Sequence, residues 1–508
     1  MGSTVTDRQC DLLHRGVAVL RHVVVPHKQS HRQEWAIEKT IAAGGIEALV
    51  RAMKRLPPAR DGVESDVGHM WGCAALGAIA NNEARRLLVA EAGGAAAVVA
   101  AINAAPDNAM LVESACAALW NIGAEPSAAP LVAAQEGPRI VVEAMGRHVA
   151  VADVVQEGCG ALRDMAMVPL LHSQIVVAGG VAACCAALRR HVDNAQVCEF
   201  ACGALGRLLS TEAEPADPSA NAEGATLGVL LDAMATHRAV ELAVASMRTH
   251  EARSVDLDTE ATFFLDVMLS SLMKRSPRAQ ESEAELEAQF DSFLACATAA
   301  GELTEIACDE LTDEVAACSD SAARCATMRQ LMGGRLTGDK SGEALAEASL
   351  LAPHNMDAST RQSLQTFARS GAVAASVEAL MGMVAAREME PIEADVEEDD
   401  EPAIFPCKLL AKLGMIEMPE CRKALMAGSE AVPTAYALVY AFDQLVARKV
   451  PSATAAGGSS QRMQVGKAAS MVTQALFRFA RCGPDYEAAL LEVDGIDEFT
   501  SCLLREHI

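Results

Sequence analysis

Aromatic residues, long apolar runs and basic charge are all scarce in this sequence. Aromatic side chains make up 3% of the 508 residues, which argues against a β-rich fold because strands favour aromatic and β-branched residues. No segment reaches the ~18 consecutive apolar residues that a membrane span needs. Acidic residues outnumber basic ones by 68 to 42. This balance argues against a nucleic-acid partner, which would need Lys and Arg to neutralise its phosphates.

What the chain has instead is alanine, cysteine and other small apolar residues. Hydrophobic residues reach 51%, and the abundance of alanine favours an all-α fold because alanine has the highest helix propensity. The 16 cysteines come without a secretory signal, so we expect reduced, buried thiols rather than a disulfide framework. The protein is therefore expected to be soluble and cytoplasmic, with association to the cytoskeleton or a cilium left open.

One apolar pentapeptide recurs at a fixed interval. It reads GCAAL at 72–76, ACAAL at 115–119, GCGAL at 158–162 and ACGAL at 201–205. The four cysteines in it are 43 residues apart. A unit of this length cannot bury its own apolar faces, whereas stacked neighbours form a continuous core. The pentapeptide is therefore predicted to lie where equivalent helices of successive repeats approach each other. Its leucines are the predicted large core residues: Leu76, Leu119, Leu162 and Leu205.

A glycine break accompanies each copy of the pentapeptide. It reads AEAGG at 90–94, AAQEG at 133–137, VVAGG at 176–180 and NAEG at 221–224. Glycine ends a helix because it adopts the left-handed conformation without a steric penalty. Each unit is thus predicted to contain a short first helix, a glycine turn, a second helix, a loop and a longer third helix that carries the pentapeptide.

This arrangement resembles the armadillo repeat family. The resemblance is strong over 35–231 and returns within 343–373, 407–432 and 473–496, while 16–45 is similar to a first repeat. It implies an all-α, right-handed superhelical solenoid of nine to ten three-helix repeats. The predicted parts are 1–34, an N-terminal segment with the first helices; 35–231, regular repeats; 232–342, degenerate helical repeats; and 343–508, C-terminal repeats. Insertions at 56–68, 388–402 and 450–461 are predicted between second and third helices.

The resemblance also implies that third helices line a groove for an extended peptide. In importin-α this groove carries a Trp followed four residues later by an Asn. The Trp positions here hold Ala74, Ala117, Gly160 and Gly203. The Asn positions hold Ala78, Asn121, Asp164 and Arg207, so nuclear-signal recognition of that kind is not expected.

The predicted partner-binding residues extend one helical turn further along the same face. This set adds Trp71, Glu157 and Phe200 to Asn121, Asp164 and Arg207. A second interpretation stays open, in which Trp71 and Phe200 pack against the next repeat. Trp120 is predicted to pack between helices rather than in the groove.

The same register predicts a basic patch near the C-terminus, which contains Lys408, Lys412, Arg478 and Arg481. Such a patch would attract an acidic or phosphorylated segment. The neighbouring loop 388–402 is rich in carboxylates. We therefore consider it as a tethered competitor for the patch, because a short linker raises effective concentration.

No catalytic, metal or cofactor site is predicted. The string GGRLTGDKS at 333–341 approaches a phosphate-binding loop, but Asp339 interrupts the Gly-Lys pair and a helical pattern, not a strand, precedes it. His27 and His31 have helical spacing without a further ligand at metal-binding distance in the sequence. The protein is expected not to be an enzyme.

Three functional hypotheses follow. The first is an adaptor or scaffold that binds extended or helical segments of partner proteins along its groove. The second is a structural subunit of a large cytoskeletal or ciliary assembly. The third is a lipid-anchored adaptor, because Gly2 and Thr6 match the myristoylation pattern and Cys10 is positioned for a second acyl chain. The oligomeric state is left open.

Overall fold

The computed structural model of the protein describes about two thirds of the chain. The described residues are 15–22, 31–56, 64–210, 222–251, 253–275, 324, 358–388, 403–416, 418–429, 432–445, 467–480, 482–491 and 493. Within these ranges the chain is helical and contains no strand. The first helix, α1, is residues 15–22.

Helices then follow in groups of three. The first two groups are α2 (His31–Ala42), α3 (Gly45–Arg55) and α4 (Glu64–Ala80), then α5 (Glu83–Glu91), α6 (Gly94–Ala104) and α7 (Ala109–Gly123). In the third group a 3-10 turn, Pro126–Ala128, leads into α8 (Ala129–Ala133), α9 (Gly137–Arg147) and α10 (Ala152–Met165). The fourth group is α11 (Pro169–Ala178), α12 (Gly180–Arg190) and α13 (Ala195–Ser210). The helix–turn–helix–loop–helix order predicted from the sequence is confirmed.

Three further groups complete the described helices. They are α14 (Ala222–His237), α15 (Ala239–His250) and α16 (Val255–Arg275); α17 (Ala358–Arg369), α18 (Ala372–Glu388) and α19 (Ile404–Leu413); and α20 (Pro419–Ala427), α21 (Thr434–Leu445) and α22 (Lys467–Ala480). A last helix, α23, is Pro484–Leu491. The described ranges thus hold seven complete groups, and most of the predicted degenerate region, 276–342 apart from Arg324, lies outside them.

The chain divides into two compact units. The first comprises Met1–Met268 with Ser370–Pro406, and the second comprises Leu269–Arg369 with Cys407–Ile508. Within the first unit, second helices stack in succession, α3 with α6, α6 with α9 and α9 with α12. The series continues from α12 to α15 and then from α15 to α18. The helix that stacks on α15 therefore comes from a distant part of the chain.

The turn between first and second helices uses its two glycines differently. Gly93 has a φ of 86°, in the left-handed region that favours glycine. Gly94 begins α6, and a Cβ there would lie 2.6 Å from Cγ1 of Val89. The first glycine therefore supplies the backbone conformation and the second allows two helices to approach closely. Glu136 and Arg238 occupy the first position with φ of 53° and 58°, a conformation that is costly for side chains with a Cβ.

The predicted break at 221–224 is wrong. Helix α14 runs through Gly224, and the turn lies at Arg238, in the left-handed conformation before α15. An isolated glycine costs a helix only about 1 kcal/mol, so α14 can contain one. The sequence pattern failed here because an arginine, not a glycine, adopts the left-handed turn conformation.

The third helices form the centre of the core. Helix α4 packs on α7, α7 on α10 and α10 on α13. The four repeated leucines and the four repeated cysteines are fully buried. A Cβ on Gly77 would lie only 3.2 Å from Cα of Ala118 on the next third helix, so small residues do hold these helices close. The ten described cysteines are free and buried, as expected.

A row of histidines ties successive repeats together. Nε2 of His148, at the end of α9, lies 2.8 Å from the carbonyl oxygen of Pro106. Nε2 of His191, at the end of α12, lies 2.8 Å from the carbonyl oxygen of Val149. Nε2 of His250 lies 3.0 Å from that of Val192. The second helices α9, α12 and α15 therefore each donate a hydrogen bond from a C-terminal histidine to the preceding repeat.

Across the described ranges no single helix is both long and apolar enough to cross a membrane. Three pairs of helices reach the length and composition only when each pair is taken together across a sharp bend.

Candidate interaction face

Third helices α4, α7, α10, α13 and α16 present a shared surface, which we call the third-helix face. Most of the predicted binding residues lie on it. Trp71 on α4, Asn121 on α7, Glu157 and Asp164 on α10, and Arg207 on α13 are all partly exposed. Phe200 on α13 is 8% exposed and is therefore mostly part of the core.

Asn121 is held in place by the preceding third helix. Its Nδ2 donates a hydrogen bond of 3.0 Å to the carbonyl oxygen of Gly77 on α4. Gly77 has no side chain to cover that carbonyl, so the amide can reach it. In the described part of the chain no group donates to Oδ1 of Asn121. The amide therefore presents a fixed hydrogen-bond acceptor on the face.

Trp120 packs between neighbouring third helices, as predicted, and is also partly exposed on the third-helix face. Its indole Nε1 donates a hydrogen bond of 2.6 Å to Oδ2 of Asp164 on α10. Its ring covers Gly160, where a Cβ would lie 2.6 Å from the ring carbons. The ring then meets Phe200 on α13 edge to face, with centroids 5.1 Å apart. A single side chain thus spans three consecutive third helices.

Arg163 connects these aromatic rings to a group of carboxylates. Its guanidinium lies 4.8 Å from the centroid of Phe200 and 5.6 Å from that of Trp120. Its Nε donates to Oδ1 of Asp164 at 2.9 Å. Its Nη1 lies 4.0 Å from Glu199 and 3.9 Å from Glu260. Arg163 was not among the predicted binding residues, although it contacts side chains on α7, α13 and α16.

Arg207 continues the series toward α16. Its two terminal nitrogens donate to the two carboxylate oxygens of Glu260, at 2.6 and 3.0 Å. Its guanidinium lies 5.4 Å from the ring of Phe263, which meets Phe405 edge to face at 5.1 Å. Gly203 makes room for this pair, because a Cβ there would lie 2.8 Å from Oε2 of Glu260. The face from α10 to α16 is therefore occupied by the chain's own cations.

Three carboxyl groups on the face have raised pKa values. Burial, followed by repulsion from Glu113 and Asp153, raises the pKa of Glu157 to about 7. Burial and repulsion from Asp153 raise the pKa of Glu113. Burial, with repulsion from Asp256 and Glu260 and an opposing effect of Arg163, raises the pKa of Glu199 to about 7. The face is acidic, and some of its carboxyl groups titrate near neutral pH.

The predicted basic residues near the C-terminus lie within the second unit. Nζ of Lys412 donates to Oγ of Ser270 at 2.6 Å. Arg478 contacts Sδ of Met415. Lys408 is partly exposed on α19. Lys412 and Arg478 are thus engaged with neighbouring helices of the same unit.

Several predicted sites lie outside the described residues. These are Gly2, Cys10, His27, Arg481, the 333–341 string and, apart from Glu388 in α18, the acidic loop 388–402. Among the residues that the structure describes, no group of three or more His, Cys, Asp or Glu side chains is arranged to hold a metal ion.

Similarity to known proteins is limited to the arrangement of the helices. No protein-family model matches the chain, and no curated protein matches it. Solved structures of armadillo repeat proteins do resemble it. The described helices, grouped in threes and stacked through equivalent helices, form an armadillo-like helical-repeat fold. In general, solenoids of stacked helices offer extended surfaces on which other proteins can bind.

Three of the similar structures show how distant the likeness is. An engineered protein is 20% identical, with a TM-score of 0.39, and the match covers 53% of this chain and 93% of that chain. A computationally designed armadillo repeat protein for modular peptide recognition is 16% identical, with a TM-score of 0.38 and coverage of 52% and 94%. A structure concerning the phosphorylation-controlled interaction of cadherin with β-catenin is 12% identical, with a TM-score of 0.31 and coverage of 96% and 99%. These likenesses concern the fold alone.

Proposed function

We propose that the protein is a non-catalytic scaffold that binds an extended segment of a partner protein across the third-helix face. The observation that carries this proposal is the fixed amide of Asn121. Its Nδ2 is held by the carbonyl of Gly77, so its Oδ1 has a set direction and can accept a hydrogen bond from a ligand backbone N–H. Preorganisation of this kind lowers the entropic cost of binding.

The surroundings of Asn121 support the same conclusion. Trp71 is partly exposed on α4 and can contact an apolar side chain of the segment. Ala74 and Ala117 leave the surface between Trp71 and Asn121 shallow, so the backbone of a ligand can come close. Charged groups on α10 flank this part of the face and can set the register of the segment.

The test is selection of binders from a random library of displayed dodecapeptides with the full-length protein as bait. We expect selected peptides to lose affinity by about tenfold with Asn121→Ala, which corresponds to one hydrogen bond to a fixed acceptor. Asn103→Ala is the matched control, because Asn103 is exposed on α6 and lies away from this face. Equal affinity for the wild-type protein and Asn121→Ala would contradict the proposal.

A structural role in a larger assembly is a second candidate, supported by a different surface. Met167, Leu170 and Val177, at the start of α11 and along it, are 57%, 48% and 89% exposed. Exposed apolar side chains grouped in this way are typical of contact sites. If this role holds, the double variant Leu170→Glu, Val177→Glu will release partners that otherwise copurify at fixed stoichiometry from a native extract. Retention of those partners would argue against it.

A further inference from the structure

The third-helix face is not equally open along its length. One position occurs on four successive third helices at intervals of 43 residues, as Ala74 on α4, Ala117 on α7, Gly160 on α10 and Gly203 on α13. Both alanines are partly exposed, whereas both glycines are buried although they have no side chain of their own. Other side chains of the protein therefore cover the face at α10 and α13.

Trp120 covers the face at α10. Its indole ring extends from α7, and a Cβ on Gly160 would lie 2.6 Å from the nearest ring carbon. The ring is held from two sides, because Nε1 donates to Asp164 at 2.6 Å and the ring meets Phe200 edge to face. An indole with both a hydrogen bond and an aromatic contact is not free to move aside. Trp120 therefore marks the end of the open surface that begins at α4.

Arginines cover the face at α13. A Cβ on Gly203 would lie 2.9 Å from Cδ of Arg163, which comes from α10, and 3.0 Å from Nη1 of Arg207. It would also lie 2.8 Å from Oε2 of Glu260, which comes from α16. The side chains of Arg163 and Arg207 are only 18% and 24% exposed, and Arg207 pairs with both carboxylate oxygens of Glu260. The surface from α10 to α16 is thus filled by side chains that pair with one another.

We propose that these side chains close the third-helix face from α10 onwards, so that the partner contributes a short extended segment that contacts α4 and α7 and ends at α10. This inference rests on the proposed function and specifies the extent of the segment. Third helices that pack together lie roughly 10 Å apart, so α4 to α10 span about 20 Å. An extended chain covers about 3.3 Å per residue, and the segment in contact is therefore about six residues long.

The polar groups of the two parts agree with this boundary. In the open part, no group of the described residues donates to Oδ1 of Asn121, so a ligand amide can reach it. In the covered part, a ligand would have to separate Arg163 and Arg207 from their carboxylates. Breaking such partly buried charge pairs is unfavourable, because each charge is left without its partner. A longer segment therefore leaves the surface at α10.

The experiment uses the full-length protein and the same displayed dodecapeptides. Selected peptides are shortened from each end, one residue at a time, and their affinities are measured by fluorescence anisotropy. We expect a core of about six residues to keep the affinity of the full peptide within about threefold, and further shortening to lower it at least about tenfold. Photo-crosslinkers at the two ends of the core should label α4, α7 or α10, and not α13 or α16.

A double variant tests whether the arginines are what closes the face. Arg163→Ala with Arg207→Ala should uncover Gly203, so peptides selected with this variant should also label α13. The matched control is Arg139→Ala with Arg147→Ala, because the ion pairs of these two arginines are exposed and lie on a second helix, α9. Peptides selected with the control should not label α13. Circular dichroism shows whether each variant is folded, and if the first is not, the shortened and crosslinked peptides on the wild-type protein decide.

The outcomes separate this inference from the proposed function. Peptides that depend on Asn121 but lose affinity with the first residues removed from either end, or that label α13 or α16 of the wild-type protein, would overturn the inference and leave the proposed function standing. A folded Arg163→Ala, Arg207→Ala variant whose peptides still do not label α13 would also overturn it. Peptides that bind independently of Asn121, or a library from which none is retained, would overturn the proposed function and the inference with it.

Discussion

Two parts of the third-helix face, the α10–α16 level and the α7–α10 level, both carry several carboxyl groups. They differ in whether arginines of the described chain pair with those carboxyl groups. Between α10 and α16, carboxylates surround Arg163 and pair with Arg207, and aromatic rings lie against both guanidinium groups. Between α7 and α10, Glu113, Asp153 and Glu157 have no such partner among the described residues, and the pKa of Glu157 is raised to about 7.

The carboxylates at the α10–α16 level are thus neutralised by arginines of the same chain, whereas those at the α7–α10 level form no ion pair among the described residues. An arginine side chain that stacks on an aromatic ring and pairs with a carboxylate is partly shielded from water, so water weakens its ion pair less. The α10–α16 level is therefore expected to be rigid. Glu113, Asp153 and Glu157 repel one another, and this repulsion adds to the effect of burial in raising the pKa values of Glu113 and Glu157. Mutations of the arginines can therefore be compared with mutations of Glu113, Asp153 and Glu157.

The largest expected effect tests whether the two levels share the same core. Leu119→Ala under the α7–α10 level and Leu205→Ala on α13 should each lower the free energy of unfolding by about 2–5 kcal/mol, because both leucines are fully buried. Urea denaturation followed by circular dichroism measures this, and Leu88→Ala, at a 44% exposed position, is the control. A cost below about 1 kcal/mol at either leucine would show that the levels differ in their cores.

Removing the charge of Arg163 should make the α10–α16 level more like the α7–α10 level, in which the carboxyl groups have no cationic partner among the described residues. Arg163→Gln leaves Asp164, Glu199 and Glu260 without its charge, and we expect a loss of about 2 kcal/mol at pH 8. The loss should be smaller at pH 6, because Glu199, with a pKa of about 7, is then mostly protonated.

The control for Arg163 is Arg139→Gln, whose ion pairs with Glu136 and Glu143 are exposed and should contribute little to stability. A loss for Arg163→Gln that is the same at both pH values would indicate that its stacking on the rings, and not its charge, is what matters.

The histidine hydrogen bonds link successive repeats through their second helices. Each should contribute less to the free energy of unfolding than the buried leucines do. His191→Ala removes the hydrogen bond to the carbonyl of Val149 and is expected to cost about 1–2 kcal/mol, since a buried acceptor loses its donor. His191→Gln keeps a donor of similar reach and should recover part of that stability. Unfolding midpoints of the two variants that coincide would rule out a role for the hydrogen bond.

The smallest expected effect has the opposite sign. The raised pKa of Glu157 means that the folded state binds its proton more tightly than the unfolded chain does. This carboxyl therefore costs nothing well below its ordinary pKa of 4.5, destabilises increasingly as the pH rises to 7, and has its full effect above that. Glu157→Gln should raise the free energy of unfolding by roughly 1 kcal/mol at pH 8, after allowance for partial exposure, and by almost nothing at pH 4. A stabilisation that does not change with pH would contradict this assignment.

Most of the fold could be predicted from the sequence because its main signal is repeated. Four copies of one pentapeptide identify the third helices and their buried leucines, and the paired glycines mark most turns. The prediction failed at Gly224, because an arginine adopts the left-handed turn conformation fourteen residues later at Arg238. Local composition does not reveal such an exception.

The candidate site was less predictable because it depends on long side chains that cross between helices. The residue after each repeated leucine is Gly77, Trp120, Arg163 or Gly206, and these positions contribute to the face or make room on it. Trp120 reaches Asp164 and Phe200 only because Gly160 lacks a side chain beneath its ring. The sequence did contain one unused signal: His148 and His191 are 43 residues apart and occupy equivalent positions.

The contact between α15 and α18 has a consequence for how this architecture can change. These two second helices stack directly although residues 251–371 separate them in the chain. Two second helices can therefore stack on each other although they are far apart in the sequence. A long insertion between them need not change the order in which the second helices stack. The junction after α16 is therefore a natural place to graft a foreign domain or reporter, and a fusion there should leave the upstream repeats as they are.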